Sequence, residues 1–418
     1  MLLNSRKAML RGEMWIPASK SHTIRAIAIA TMARGRSVLR RPLISEDALS
    51  CVEAARKFGA SVDTSDDYIV EGIGGFPRKI AMIDVGNSGT TLRIFTALAA
   101  LSNQPFTFDG DASIRQRPME PLFTALQQLK VRVDTPNGRC PFTIQGPLHG
   151  GKTSVRAVSS QFLTALLLAS PLAPQDIEIN VELLNEQPYI DITLDWLKKQ
   201  YIQYEQSGYE WFRIKGNQHY KPFDMHIPAD FSTATFALVA AVVSGGEVLL
   251  RGLDFNDSQG DKVIFSHLEK MGAVIRHGAD YVVVKSNPLQ GMDIDMNATP
   301  DALPAMAVAG CYAQGTTRLL NVPQARLKEC DRIKACFSEL TKMGAQIEEL
   351  SDGLVIRNSK LHGAEVNGYN DHRMVMSLAI AGMMAEGTTT ITTAEAAGVT
   401  YPGFVSDFTS LGADFVIQ

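Results

Sequence analysis

Six short strings in this sequence place small hydroxyl, amide or carboxylate side chains directly ahead of an apolar run. They are Ser19-Lys20-Ser21-His22, Gly86-Asn87-Ser88-Gly89-Thr90, Val158-Ser159-Ser160-Gln161, Ala229-Asp230-Phe231-Ser232-Thr233, Thr299-Pro300-Asp301 and Asn370-Asp371-His372-Arg373. Ser, Thr, Asp and Asn in such places cap helices, because a helix start leaves several N–H groups open. The cations ask for more than capping. Lys20, Arg25, Arg93 and Arg373 fall in the first turns of these runs, where a positive charge opposes the helix dipole and is locally unfavourable. A helix start that combines open N–H groups with a cation suits phosphate or carboxylate, so the chemistry indicated is recognition of small anions.

Metal and disulfide chemistry find no such support. The five cysteines, Cys51, Cys140, Cys311, Cys330 and Cys336, include no CxxC pair and no His partner at ligand spacing. No metal site and no cofactor are therefore expected, and a reducing cytoplasm is the expected compartment.

The elements that position these strings repeat. A phrase of helix end, Gly-Ala and strand recurs about every 70 residues: Lys57-Phe58-Gly59-Ala60, Gln128-Leu129-Lys130-Val131, Lys199-Gln200-Tyr201-Ile202, Lys270-Met271-Gly272-Ala273, Lys342-Met343-Gly344-Ala345 and Ser410-Leu411-Gly412-Ala413. Gly closes a helix by entering the left-handed conformation freely, and the alternating residues after it read as a strand. Each repeat thus predicts strand, helix, strand, helix and strands, with one helix far more apolar than the other. A helix apolar all round belongs inside a domain, so two α/β domains of three repeats each are expected, with sheets packed around buried helices.

Composition agrees with that picture. A chain of 418 residues, 45% hydrophobic and 20% charged, is large enough for two cores and too apolar for disorder. A net charge of -4 gives no overall attraction to nucleic acid or an anionic membrane, so any anion site is local. The start of the chain carries no signal-like apolar run, and Phe162–Leu172 is too short to span a bilayer.

Taken in order, Ser19-Lys20-Ser21 with Arg25, Gly86-Asn87-Ser88-Gly89-Thr90, Arg117-Pro118, Ser159-Ser160-Gln161-Phe162, Pro188-Tyr189-Ile190-Asp191, Pro300-Asp301, Arg326-Leu327-Lys328-Glu329-Cys330-Asp331-Arg332 and Asn370-Asp371-His372-Arg373-Met374 resemble the 5-enolpyruvylshikimate-3-phosphate synthase family over essentially the full length. The resemblance implies a two-domain inside-out α/β barrel in which residues 1–18 join 229–418, residues 19–228 form the other domain, and the active site lies in the cleft between them. It implies transfer of the enolpyruvyl group of phosphoenolpyruvate to the 5-hydroxyl of shikimate 3-phosphate by addition and elimination, in a monomer.

The family's roles carry over residue by residue. Lys20, Asp301 and Glu329 are the implied catalytic groups. Shikimate 3-phosphate is implied to meet Lys20, Ser21, Arg25, Ser159, Ser160, Gln161, Tyr189, Asp301, Gln324 and Lys328. Phosphoenolpyruvate is implied to meet Lys20, Asn87, Gly89, Arg117, Gln161, Arg332 and Arg373. Glyphosate is expected to compete with phosphoenolpyruvate, given the room at Gly89.

Three positions depart from the family pattern. Val399 stands where a Lys usually precedes Thr-Phe-Pro, Glu186-Gln187 where Ser-Lys or Ser-Arg usually precedes Pro188, and Gln324 where relatives often have Asn. An acidic side chain at residue 186 repels a phosphate. These departures motivate a competing reading, a non-catalytic anion-binding descendant. Transfer to UDP-N-acetylglucosamine is a second rival, although Ser113–Pro118 lacks the Cys usual in that relative.

Overall fold

Apolar runs that follow the six strings form helices with no polar face, and this dictates the architecture. In the computed structural model, which describes residues 1–77 and 81–418, they are Lys20–Met32, Gly89–Ala99, Ser160–Ala169, Phe231–Val243, Leu303–Tyr312 and His372–Met384. Every residue from Phe231 to Val242 is buried, and the other five are nearly as enclosed. Only an interior accommodates such helices. Five start on the side chain their string provides: Ser19, Ser88, Ser159, Asp230 and Asp371 each accept from a backbone N–H two or three residues on. The sixth, Leu303–Tyr312, is entered through the 3-10 turn Pro300–Ala302, where proline's missing N–H goes unneeded.

Around these helices the described residues form six four-stranded sheets. In one, Ala81–Asp84 runs parallel to Phe106–Asp109, which pairs antiparallel with Phe142–Gln145, itself antiparallel to Arg132–Asp134. A parallel pair requires a crossover, and the buried Gly89–Ala99 helix supplies it. The amphipathic helix Glu120–Gln128 then leads into the hairpin. The same order recurs in every sheet, so the repeat read from the sequence is a structural unit.

Two sheets borrow strands from distant parts of the chain. Asp224–His226 lies parallel to Arg34–Arg40, closing the segment Ala18–Ile227 on itself. Leu3–Arg6 inserts between Thr388–Ile391 and Asp414–Ile417, and Arg11–Trp15 runs parallel to Glu247–Arg251. These pairings tie the first residues to the second half. The chain accordingly divides into two compact units, Met1–Pro17 with Pro228–Gln418, and Ala18–Ile227, each with its own apolar core.

The recurring helix-end phrase marks one backbone position in each repeat. Gly59, Gly272, Gly344 and Gly412 have φ of 108, 113, 91 and 105° there. Lys130 and Tyr201, the two positions lacking glycine, hold φ of 66 and 59°. The turn geometry has persisted where the residue best suited to it has not.

Candidate functional site

In the Ala18–Ile227 unit, two of the three buried helices, Lys20–Met32 and Gly89–Ala99, carry the cations. Lys20 opens its helix, and its Nζ sits 3.1 Å from Asp47 Oδ2. Arg25 and Arg93 lie on the second turns, one turn deeper than the sequence suggests. Arg25 is only 2% exposed and donates to Thr193 Oγ1, Thr164 Oγ1 and the carbonyls of Ser21 and Tyr189 at 2.9–3.2 Å. All four acceptors are neutral. Burial pushes the guanidinium down to about 10, opposed by Tyr189, so it stays charged at neutral pH. A buried cation held by neutral dipoles is positioned for an external anion.

A second group surrounds Gly89. Arg93 Nη1 donates to Gln161 Oε1 at 3.0 Å, and Arg117 Nη2 donates to Asn87 Oδ1 at 2.9 Å. Asn87 is fixed in turn by Asp111, 2.6 Å away. A Cβ on Gly89 would collide with Nη1 of Arg93 and lie 2.8 Å from Nη1 of Arg117, so glycine is required where two guanidinium groups converge.

The start of the Ser160–Ala169 helix is occupied. Glu186 Oε2 accepts from Ser160 N at 3.1 Å, Ser160 Oγ at 2.9 Å and Ser159 Oγ at 3.3 Å. Glu186 is 2% exposed and has a left-handed φ of 60°. Open N–H and hydroxyl groups at a helix start attract an anion, and the chain meets that demand from within.

The other unit gathers acids and bases around Arg332, the first residue of helix Arg332–Lys342. This side chain is 1% exposed. It donates to Asp371 Oδ2 and Asp301 Oδ1 at 2.7 Å each and to Glu329 Oε2 at 2.5 Å. Burial opposes its charge, but Asp371, Glu329 and Asp301 outweigh the penalty and hold it above its ordinary range. Asp301 is also met by Arg373 Nη2 at 3.0 Å and Lys328 Nζ at 3.6 Å. Three cations and three carboxylates therefore form one balanced network, suited to proton exchange beside an anion clamp. Nearby in sequence, Gln324 is 3% exposed and donates to the Asn297 carbonyl at 2.9 Å, while its Oε1 is buried with no hydrogen-bond partner among the described residues.

The profile of the EPSP synthase (3-phosphoshikimate 1-carboxyvinyltransferase) family matches residues 5–408. The chain belongs to the EPSP synthase family. It is similar to the 3-phosphoshikimate 1-carboxyvinyltransferase of Acetivibrio thermocellus, 53% identical over 418 residues that cover 99% of each protein. The enzyme of the same name from Methanocaldococcus jannaschii is 41% identical over 429 residues, covering both chains fully. The fold matches a solved EPSP synthase from Acinetobacter baumannii, with a TM-score of 0.83, 24% identity and full coverage of both chains. It also matches the enolpyruvyl transferase NikO of Streptomyces tendae, with a TM-score of 0.80, 17% identity and coverage of 99% and 98%.

Some of the residues singled out by resemblance to EPSP synthases contact one another within a unit, whereas Lys20, Ser159, Ser160, Gln161 and Gln324 meet partners outside that set. One network joins Asn87 to Arg117; a second links Arg25 to Ser21 and Tyr189; a third links Asp301, Lys328, Glu329, Arg332 and Arg373. Four further residues take part that the resemblance does not place among the site residues. Asp47 pairs with Lys20, Arg93 holds Gln161, and Asp371 accepts from Arg332 with both carboxylate oxygens. Glu186, a departure from the family pattern, caps Ser160. Arg93 and Asp371 are visible in the strings as a misplaced cation and a cap. Nothing in the sequence links Asp47 to Lys20, since that pairing depends on how two helices meet.

Proposed function

We propose that the chain transfers the enolpyruvyl group of phosphoenolpyruvate to the 5-hydroxyl of shikimate 3-phosphate and releases phosphate. Its membership of the EPSP synthase family supports this, and the observation that carries the chemistry is the Arg332 network with Asp301 and Glu329 in direct contact. The reaction needs a proton at the methylene carbon of phosphoenolpyruvate and a hydroxyl deprotonated as its oxygen bonds to the neighbouring carbon. The tetrahedral intermediate then expels phosphate, and loss of a methyl proton restores the double bond.

In this reading Asp301 accepts the proton of the attacking hydroxyl, and Glu329 with Lys20 moves protons at the methylene carbon. Arg117, Arg332 and Arg373 bind the phosphate and carboxylate of phosphoenolpyruvate, where planar guanidinium groups match both anions. Asn87, Gly89 and Gln161 also receive phosphoenolpyruvate. Ser21, Arg25, Ser159, Ser160, Tyr189, Gln324 and Lys328 receive shikimate 3-phosphate, and the unsatisfied Gln324 Oε1 suits a substrate hydroxyl. The charge network explains how Asp301 and Glu329 remain available: each is held by cations that an incoming anion can engage instead.

The reading includes a monomer acting in the cytoplasm, in keeping with five free cysteines. Among the described residues no helix is long and apolar enough to cross a membrane.

Phosphate release from purified protein tests the proposal. Release is expected with phosphoenolpyruvate and shikimate 3-phosphate together, not with UDP-N-acetylglucosamine as acceptor, and Glu329→Gln is expected to reduce it at least about a hundredfold. Release that ignores the acceptor, or survives Glu329→Gln unchanged, overturns the assignment.

A further inference from the structure

We infer that Glu186 is an internal occupant of the phosphate subsite and sets the affinity of this chain for the phosphorylated acceptor. The inference rests on the proposed function, in which Ser159 and Ser160 receive the phosphate of shikimate 3-phosphate. One carboxylate oxygen of Glu186 already takes three donors from that place: the Ser160 N–H, the Ser160 hydroxyl and the Ser159 hydroxyl, at 2.9–3.3 Å. A phosphate oxygen seeks the same donors at the same distances. Both anions cannot hold them together, since two like charges on one set of donors repel strongly in a buried setting.

The backbone at Glu186 reinforces the point. Its φ of 60° is left-handed, a conformation that a residue with a Cβ adopts only when something holds it. The hydrogen bonds to the Ser160–Ala169 helix start are that hold. Binding of the acceptor therefore requires the Glu186 carboxylate to leave, and its displacement is subtracted from the binding energy of the phosphate. The device selects for the phosphate: an acceptor without one leaves Glu186 in place and forms no contact with the helix start.

Steady-state kinetics on the full chain decide the matter, with KM measured separately for each substrate. Glu186→Ser empties the subsite and leaves a hydroxyl, and is expected to lower KM for shikimate 3-phosphate by about tenfold or more, the scale of one charge-assisted hydrogen bond. Glu186→Gln keeps the shape without the charge and is expected to lower it less. KM for phosphoenolpyruvate serves as the internal reference, because a general loosening of the protein moves both constants. An unchanged or raised KM for shikimate 3-phosphate in both variants overturns the inference, as does a parallel shift in both substrates. If one variant fails to fold, the other still separates these outcomes. Calorimetric titration with inorganic phosphate separates this inference from the assigned reaction: tighter phosphate binding by Glu186→Ser, in a protein without turnover, would uphold the internal anion while removing the synthase.

Discussion

Single side chains in this protein answer to two demands, and Arg332 shows both. It is buried at 1% exposure among Asp301, Glu329 and Asp371, and in the proposed reaction it also binds substrate. Arg332→Ala takes the buried guanidinium from Asp371 and Glu329 and leaves Asp301 to Arg373 and Lys328, so a stability loss of about 3–5 kcal/mol is expected in urea unfolding. Arg332→Lys keeps the charge but not the fork that reaches all three acids, and kcat/KM is expected to fall about a hundredfold with a smaller loss of stability. Gly89 isolates the binding role. A methyl group there strikes Arg93 and crowds Arg117, so Gly89→Ala is expected to raise KM for phosphoenolpyruvate at least about tenfold. The thermal midpoint serves as the control: in the proposed reaction Arg117 binds phosphoenolpyruvate and Arg93 holds Gln161, so displacing these two guanidinium groups is expected to affect binding before folding.

At the scale of elements, the six helix ends form a natural series. Gly59 has φ of 108°, and a Cβ there would meet only Ile73 Cγ2, at 3.6 Å. The cost of Gly59→Ala is therefore backbone strain alone, about 1–2 kcal/mol by chemical denaturation. Lys130 presents the opposite case, a residue with a Cβ held at φ of 66°. Lys130→Gly relieves that strain but gives the unfolded chain more freedom, leaving an expected net gain of at most about 1 kcal/mol. Opposite signs from the two substitutions would confirm that the turn geometry, and not the glycine, is the repeated feature. A loss of stability in Lys130→Gly would count against it.

For the molecule as a whole, the borrowed strands carry the architecture. Leu3–Arg6 is an inner strand of its sheet, hydrogen-bonded on both edges, and Leu3 is fully buried while Ser5 Oγ donates to the Ala379 carbonyl at 2.7 Å. Removing residues 1–7 deletes the bridge between Thr388–Ile391 and Asp414–Ile417. A loss of about 3 kcal/mol or more is expected from the Leu3 side chain and the ladder hydrogen bonds together. Limited proteolysis should then cut within Pro228–Gln418 while Ala18–Ile227 resists, since that unit closes on its own strand, Asp224–His226. Equal protection of both units would contradict this account of how the chain is tied.

How much is legible before folding follows from the range of each interaction. Capping, helix burial and the left-handed turn are local, set by a few consecutive residues, so Ser19, Ser88, Ser159, Asp230 and Asp371 can be read as caps and the six-fold repeat can be counted from its phrases. The expectation of anion binding is also local in origin, because it comes from cations read close to helix starts, although Arg25 and Arg93 lie one turn further in. What tertiary structure alone decides is the identity of the cations' partners. Lys20 meets Asp47 from the neighbouring helix, Arg25 is held by Thr164 and Thr193, and Arg332 meets an acid 39 residues away at Asp371. Glu186 is the clearest case: in the sequence it is an acid that repels phosphate, whereas in the folded chain its carboxylate lies on the donors a phosphate would use. Charge and residue type are properties of the sequence, but a hydrogen bond depends on distance and direction over a few ångströms, and those are settled only when the helices pack.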